Sequence, residues 1–138
     1  MRKVTFRISV VFLLLLSVLS SGLSASASNT TPIEPMYIGI TSMSPEISIS
    51  STGVITCTDR VMLKKGYKAD VIWELQSGTS RLTTTSTWKD SGTSAIPLRA
   101  ERDAIRGYSY RLKTSVKVYN SSGTLVDDEV KYSRTVSY

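Results

Sequence analysis

The stretch GYSYRLKTSVKVY, residues 107–119, decides the fold because its side chains alternate in character along its length. Successive side chains of a strand point to opposite faces, so the alternation predicts a long β-strand with one buried and one solvent-facing side. The buried side is predicted to carry Tyr108, Tyr110, Leu112, Thr114, Val116 and Val118. The exposed side is predicted to carry a basic row, Arg111, Lys113 and Lys117, which ends near Tyr119.

The rest of the chain repeats this pattern in shorter segments that are separated by turn residues. Turn signals fall at residues 51–53, 64–66 and 120–123, each of which contains glycine. No long stretch shows sustained helical periodicity. Seven or eight short strands at this spacing predict an all-β protein, a single antiparallel β-sandwich.

Two places depart from simple alternation. Asp59 shares its parity with Cys57, so its carboxylate is predicted to point inward unless a bulge or the strand end intervenes. In the predicted last strand, Thr124 to Tyr138, the spacing of the apolar residues predicts that four of them share one face: Val126, Val130, Tyr132 and Val136. Asp128 and Arg134 interrupt that pattern, so we expect a bulge or an exposed stretch in this strand.

The N-terminus has the organisation of a secretory signal peptide. Basic residues at positions 2, 3 and 7 precede an apolar run, residues 8–19, and the small-residue triplet Ala25-Ser26-Ala27. The apolar run is shorter than the roughly 20 residues that a membrane-spanning helix needs. We predict cleavage after Ala27, a secreted or wall-associated extracellular protein, and no stable membrane insertion after cleavage.

The mature chain divides into a leader and a domain. Residues 28–46 contain Pro32, Pro35 and Pro45, which oppose a helix, so this segment is predicted to be extended. The β-sandwich domain is predicted to span residues 47–138. Its size is typical of one domain with one hydrophobic core.

Composition limits the possible functions. The chain carries a net charge of +6, and removal of residues 1–27 takes away three basic residues and leaves +3. This modest excess does not favour nucleic acid, which selects a strongly basic face, but it is compatible with an anionic envelope polymer. A single cysteine, Cys57, excludes an intramolecular disulfide, and the absence of histidine excludes Ser-His-Asp and Cys-His triads.

The segment Ile105-Arg106-Gly107-Tyr108-Ser109-Tyr110 resembles the entry to the sixth strand of fibronectin type III and immunoglobulin-like domains. The resemblance implies an immunoglobulin-like sandwich in which Tyr110 is the corner tyrosine, with its hydroxyl bonded to the backbone. It also implies that Trp73 and Cys57 take the places of the core tryptophan and the first cysteine. Leu112 stands where the second cysteine would be, so the disulfide does not carry over.

A second resemblance covers nearly the whole mature chain. It rests on Ile47-x-Ile49, Gly53 followed by Cys57, Leu75-Gln76, the Trp88 segment and Gly107-Tyr108-x-Tyr110-Arg111. Together these are similar to an uncharacterised family of small secreted proteins from Gram-positive bacteria, a domain of unknown function. The resemblance implies secretion and one β-domain, and it supplies no activity.

Several residues could carry chemistry, and each also has a structural interpretation. Cys57 could be a reactive thiol, although a cysteine on an apolar strand face usually packs as a small hydrophobe. The acidic run 127–129 could bind Ca²⁺, but neighbours on a strand point to opposite faces, so a solvated strand start is expected. The pairs Asp70/Glu74 and Glu101/Asp103 would serve a glycosidase only across a cleft. We predict no catalytic residues, no cofactor and no metal.

The candidate binding surface is the basic row Arg111, Lys113 and Lys117, together with Tyr119 and Trp88. Such a row could contact anionic polymers, and Trp88 could stack on a sugar ring or cap the core. We predict a secreted non-catalytic binding module, with an envelope polymer, glycan or protein as ligand. The alternative is a structural protein that self-associates through the Thr-rich strand 82–88, and the third hypothesis is a small carboxylate hydrolase.

Overall fold

Alternating side chains form strands along most of residues 36–138, the part of the chain that the computed structural model describes. The predicted signal peptide and residues 28–35 lie outside the described residues. Nine strands follow in order: β1 (Ile40–Ser42), β2 (Glu46–Ile49), β3 (Val54–Leu63), β4 (Lys68–Gly78), β5 (Thr83–Gly92), β6 (Ala95–Asp103), β7 (Ser109–Tyr119), β8 (Leu125–Tyr132) and β9 (Val136–Ser137).

The strands form two antiparallel sheets. In the first sheet β3 is central, with β1 and β2 along one side and β6 along the other. In the second sheet the order is β5-β4-β7-β8, and β9 pairs with the start of β7. The predicted all-β antiparallel sandwich is confirmed. The described residues hold nine strands instead of seven or eight, because the leader contributes β1 and a break at residues 133–135 separates β9 from β8.

The core lies between the inner faces of β3, β4 and β7. Leu112, Val116 and Val118 of β7 are fully buried, and they share this layer with Trp73 of β4 and Cys57 of β3, each 1% exposed. Burying an apolar side chain of this size contributes about 1.5–3 kcal/mol. The alternation of residues 109–119 therefore becomes the inner and outer faces of β7. Gly107 and Tyr108, which the sequence assigns to this strand, lie in the preceding turn instead, and Tyr108 is only partly buried.

Tyr110 begins the buried side of β7 and bonds back to the preceding turn. The backbone N–H of Ile105 donates a hydrogen bond of 2.7 Å to the Tyr110 hydroxyl, which lies 3.4 Å from the Ile105 carbonyl oxygen. The ring is 3% exposed. The turn thus enters β7 in a fixed geometry, and Gly107, at φ 82°, supplies the left-handed conformation that this turn requires.

Asp59 points into the core from β3, and no bulge intervenes, because its pairing with β6 is regular. Its carboxylate accepts hydrogen bonds from Trp73 Nε1 at 3.0 Å and from the Thr114 hydroxyl at 2.6 Å. The backbone N–H groups of Ser44 and Arg60 donate to its other oxygen. A buried carboxylate is tolerated when its lone pairs are satisfied in this way, so Asp59 ties the two sheets together.

The prediction that four apolar residues of the last strand share one face is wrong. An irregularity between Leu125 and Asp127 inserts Val126 as an extra residue and reverses the parity of the strand beyond it. Val130 and Tyr132 consequently lie opposite Ser115 and Lys113 on the outer face, and both are about half exposed. After the extra residue, the side chain of Asp127 lies on the inner face of the sheet and is buried.

Residues 37–43 cross from the second sheet to the first and close one side of the sandwich. The Asp127 carboxylate accepts hydrogen bonds from the backbone N–H groups of Ile38 at 3.1 Å and Gly39 at 2.7 Å. A Cβ at Gly39 would lie 2.7 Å from Val118 Cγ1, so only glycine fits there. Ile40 and Met43 are buried, so this part of the predicted extended segment contributes to the core.

Candidate functional site

Arg111, the first residue of the predicted basic row, is held by its neighbours on the outer face of the second sheet. Its Nε donates a hydrogen bond of 2.8 Å to Gln76 Oε1 on β4. Its guanidinium carbon lies 4.3 Å from the centre of the Tyr132 ring on β8, a cation–π distance. The side chain is therefore already engaged within the sheet.

Lys113 and Lys117 face acidic side chains of the neighbouring strands. Lys113 Nζ lies 2.6 Å from Glu74 Oε2, and both side chains are about three-quarters buried. The bond from Lys113, followed by that from Thr84, holds the pKa of Glu74 below its usual value. Lys117 Nζ lies 3.8 Å from an Asp128 carboxylate oxygen in an exposed pair. The lysines of the row lie beside carboxylates of the neighbouring strands, so this face is not a uniformly basic surface.

Trp88 and Tyr119, the two aromatic residues of the predicted surface, lie in different places. Trp88 pairs with Trp73 across β4 and β5, so its half-buried ring lies on the inner side of the sheet edge. The Arg102 guanidinium covers that ring at 4.8 Å from its centre. Tyr119 ends β7 on the outer face, opposite Lys68 of β4. The structure does not bring the two rings together.

Cys57, the one thiol, is buried on β3 between the sheets. Burial raises its pKa to about 11, and the nearby charge of Arg102 lowers it by a smaller amount. A thiol with so high a pKa holds very little of the thiolate form that reacts at neutral pH. Its environment is that of a small core residue.

Four of the acidic residues considered as metal ligands or acid–base pairs are used in other contacts: Glu74, Glu101, Asp127 and Asp128. Asp127 turns to the backbone of residues 38 and 39, whereas Asp128 faces Lys117. No group of three potential metal-binding side chains occurs within residues 36–138. Glu101 lies 3.6 Å from Arg99 on the exposed β6 edge. Neither carboxylate pair lies across a cleft in the described part of the chain.

A cleft of about 550 Å³ opens at one end of the second sheet. It lies among the β3–β4 turn, the β5–β6 turn and the β7–β8 hairpin. Its walls are two tyrosine rings, two charged side chains, polar loop residues and two turn glycines: Tyr67, Tyr119, Lys68, Asp70, Thr93, Asn120, Ser121, Gly66 and Gly123. This size lies within the range of small-molecule binding sites.

The loops around this end cleft have defined conformations. Gly66 and Gly123 have φ values of 92° and 79°, which side-chain-bearing residues rarely adopt. In the hairpin, Asn120 Oδ1 accepts hydrogen bonds from the N–H groups of Ser122 and Thr124 at 3.0 and 2.9 Å. The Asn120 N–H donates to the Thr124 carbonyl at 2.9 Å. These bonds fix the wall of the cleft before any ligand arrives.

The end cleft also holds charges that lack partners within the described chain. Lys68 and Asp70 project from the same face of β4, and neither takes part in an ion pair with another described residue. This differs from the basic row, where each cation has a partner. The Lys68 ammonium can donate hydrogen bonds to a ligand, and the Asp70 carboxylate can accept them.

Of the end-cleft residues, the sequence interpretation names only two: Tyr119 in the candidate binding surface and Asp70 in a carboxylate pair. The turn signals at Gly66 and Gly123 were visible, but they mark loops and not which loops meet. The pairing of Lys68 with Tyr119 brings them together. That register depends on strand neighbours far apart in the chain, which alternation alone does not specify.

The edge strand proposed for self-association is β5, which among the nine described strands pairs with β4 alone. Its pairing shifts between Leu75 and Gln76, so Thr85 is an extra residue that bends the strand. Lys89 projects from the middle of the remaining regular part. A bulge and a lysine are devices by which edge strands avoid pairing with other copies, so the geometry gives this alternative little support.

Comparison with known proteins finds no counterpart: no protein-family model matches the chain, and no curated protein matches it. Membership of the Gram-positive family stays a prediction that rests on the motifs quoted above. Residues 36–138 include no helix with the length and apolar character needed to cross a membrane.

Proposed function

We propose that the protein is a secreted, non-catalytic binding domain of the bacterial cell envelope, and that the end cleft contacts the ligand. The observation that carries this proposal is the composition of the cleft. Two tyrosines, a lysine and an aspartate converge on one opening, and preformed loops hold them there. Binding sites typically combine apolar surface with a few well-placed polar groups.

The topology supports an immunoglobulin-like assignment and, with it, a role for this end of the sandwich. When β1 and β2 are counted together as the first strand, β3 to β8 follow the order B, C, C′, E, F, G. The β3–β4 turn and the β7–β8 hairpin are then the B–C and F–G loops. Those loops carry ligand contacts in variable immunoglobulin domains.

Secretion is supported by the sequence of the leader. The basic start, the apolar run 8–19 and the Ala25-Ser26-Ala27 site fit a cleaved signal peptide. Small secreted domains often contain disulfides, and this domain, with one cysteine, relies instead on packing and on the buried Asp59 network. The secreted domain is released or wall-associated, with an envelope polymer or an envelope protein as partner.

A binding role is also supported by how the reactive groups are used. Glu74 is engaged by Lys113, Asp127 by backbone amides, and the Cys57 thiol has a raised pKa. Nucleophiles and general bases in enzymes have pKa values near the working pH and reach a substrate cleft. Glu74 and Asp127 act here as structural acceptors, whereas Asp70 lines the end cleft.

The test measures retention of residues 28–138 on purified Gram-positive envelope material. The cleft variant carries Lys68→Gln and Asp70→Asn, which keep size and net charge. We expect retention to fall about tenfold, because two hydrogen-bonding charges are lost. The matched control, Arg99→Gln with Glu101→Gln on the opposite sheet, should bind like the wild type.

The thermal midpoints of both variants show whether they remain folded. Equal retention by the cleft variant would contradict the proposal. So would a loss that follows only from neutralising Arg111, Lys113 and Lys117, since that result would return the contact to the basic row.

A further inference from the structure

The charge pattern around the end cleft favours an uncharged ligand. The nearby cations of β7 have partners: Lys113 has Glu74, Arg111 has Gln76 and Tyr132, and Lys117 has Asp128 in an exposed pair. In the β3–β4 turn, Lys64 donates to the Tyr37 carbonyl, and Lys65 is exposed outside the cleft lining. The cleft itself has one cation and one carboxylate, Lys68 and Asp70. An anionic polymer would need clustered free cations, as charge complementarity requires. The balance in the cleft instead suits a ligand without net charge.

The aromatic and hydroxyl groups narrow the chemistry further. Tyr119 offers a ring face, whereas the Tyr67 ring packs against the core beside Gly39. Thr93, Asn120 and Ser121 line the polar rim. A sugar ring has the matching arrangement, with C–H groups on its face and hydroxyl groups around its edge. Aromatic rings pack on the apolar part, and charged or amide groups bond the hydroxyls.

The position of the cleft distinguishes a sugar chain from a peptide. Extended peptides bind proteins of this type by adding a strand to a sheet edge, where backbone hydrogen bonds are available. The cleft lies instead among turns, and the hairpin already uses its own N–H groups of Ser122, Gly123 and Thr124 internally. Its opening to solvent also leaves room for a chain to enter and leave.

We infer that the end cleft binds a neutral polysaccharide of hexose or N-acetylhexosamine units, stacked on Tyr119 and hydrogen-bonded by Asp70 and Lys68. The inference rests on the proposed function and specifies its ligand. Tyr119 supplies the stacking surface, and Asp70 accepts hydrogen bonds from the sugar hydroxyls. The volume of about 550 Å³ accommodates a short segment of such a chain.

The test applies residues 28–138 to an array of immobilised neutral hexose and N-acetylhexosamine oligomers, with uronate oligomers as the anionic set. We expect binding to neutral members. The best of these is then titrated in solution by calorimetry. Binding confined to uronates, or to no member of the array, would overturn the inference.

Variants locate the contact. Tyr119→Ala should weaken binding about tenfold, whereas Tyr119→Phe, which keeps the ring, should bind within about twofold of wild type. Tyr132→Ala removes a half-exposed tyrosine from the same sheet face outside the cleft and should bind normally. Asp70→Asn tests the hydrogen bond without removing any packing group. Equal affinity of wild type, Tyr119→Ala and Asp70→Asn would overturn the inference.

The two proposals fail in different ways. If the envelope retains the wild-type protein through the cleft but no neutral oligosaccharide binds, the binding function stands and the sugar is wrong. If neither the envelope nor the array retains the protein, both proposals are wrong.

Discussion

At the scale of single residues, buried polar atoms in this protein have specific partners. Asp59 faces Trp73 and Thr114, and Tyr110 faces the backbone of Ile105. Among the described residues, no buried side-chain nitrogen or oxygen lacks a hydrogen-bond partner. Removing one member of such a contact leaves the other desolvated and unbonded, which costs more than the bond itself contributes.

Tyr110→Phe removes only the hydroxyl that accepts the Ile105 N–H. We expect the free energy of unfolding to fall by about 1–3 kcal/mol, because a partly buried donor loses its acceptor. Urea denaturation of the purified domain measures this value, and Tyr132→Phe, at a half-exposed ring, is the control. An unchanged unfolding midpoint for Tyr110→Phe would show that the hydroxyl does not hold the turn.

The Cys57 thiol is expected to be chemically silent in the folded protein. With a pKa raised to about 11, about one thiol in a thousand is ionised at pH 8, and burial blocks access as well. Iodoacetamide should label Cys57 slowly in buffer and rapidly in denaturant, as followed by mass spectrometry. Rapid labelling of the native protein would show that the site is open.

At the scale of elements, residues 37–43 are attached to β8 at two points: the Asp127 carboxylate accepts from the amides of Ile38 and Gly39, and Lys131 Nζ donates to the Met43 carbonyl at 2.8 Å. Asp127→Ala should leave the amides of Ile38 and Gly39 without their acceptor. We expect hydrogen exchange at these two amides to accelerate while exchange in β4 and β7 stays slow. Asp128→Ala, at the exposed neighbour, is the matched control, and equal protection in both variants would contradict this attachment.

The Glu74–Lys113 pair links β4 to β7 and gives stability a pH dependence. The pKa of Glu74 in the folded state lies below its ordinary value of 4.5. Its contribution is therefore complete above that value and is lost as pH falls through the lower folded-state pKa. Chemical denaturation should show Glu74→Gln less stable than wild type at pH 7, with the difference shrinking in strong acid. A difference that is constant with pH would contradict the pairing.

The elements also show what local sequence can predict. Along residues 109–119 the inner positions are apolar except for Thr114, so both faces of β7 follow from the sequence alone. In β8 one extra residue, Val126, reverses the parity of everything after it. The interruption at Asp128 predicts an irregularity in this strand, but it does not mark the residue at which the irregularity occurs. The basic row was correctly seen as outward-facing. Which acidic side chains lie beside it, Glu74 of β4 and Asp128 of β8, depends on the register between strands that are distant in the sequence.

The same reasoning applies to the end cleft and the buried carboxylate. Gly66 and Gly123 mark turns, whereas the meeting of those turns follows from long-range pairing of β4 with β7. The inward parity of Asp59 was visible from its spacing. Its hydrogen bonds come from Trp73 and Thr114, which lie on the opposite sheet and cannot be paired with Asp59 from sequence alone. This tertiary contact explains why Thr114 is the one polar residue on the inner face of β7.

At the scale of the whole molecule, the two sheets form a packed frame, and the connections between strands lie at its ends. The frame is stabilised by packing and by the Asp59 network, and the end cleft is formed by three connections with fixed geometry. Function placed on loops of a rigid sandwich is a general arrangement. We therefore propose that envelope ligands bind at the end of the sandwich that carries the end cleft.

The most direct measurement is a map of backbone amide shifts by nuclear magnetic resonance, as solubilised envelope fragments are titrated into labelled residues 28–138. The account predicts shifts concentrated at residues 66–70, 93 and 119–123, with little change elsewhere. Shifts centred on Arg111, Lys113 and Lys117, or along the β5 edge at residues 83–92, would contradict it.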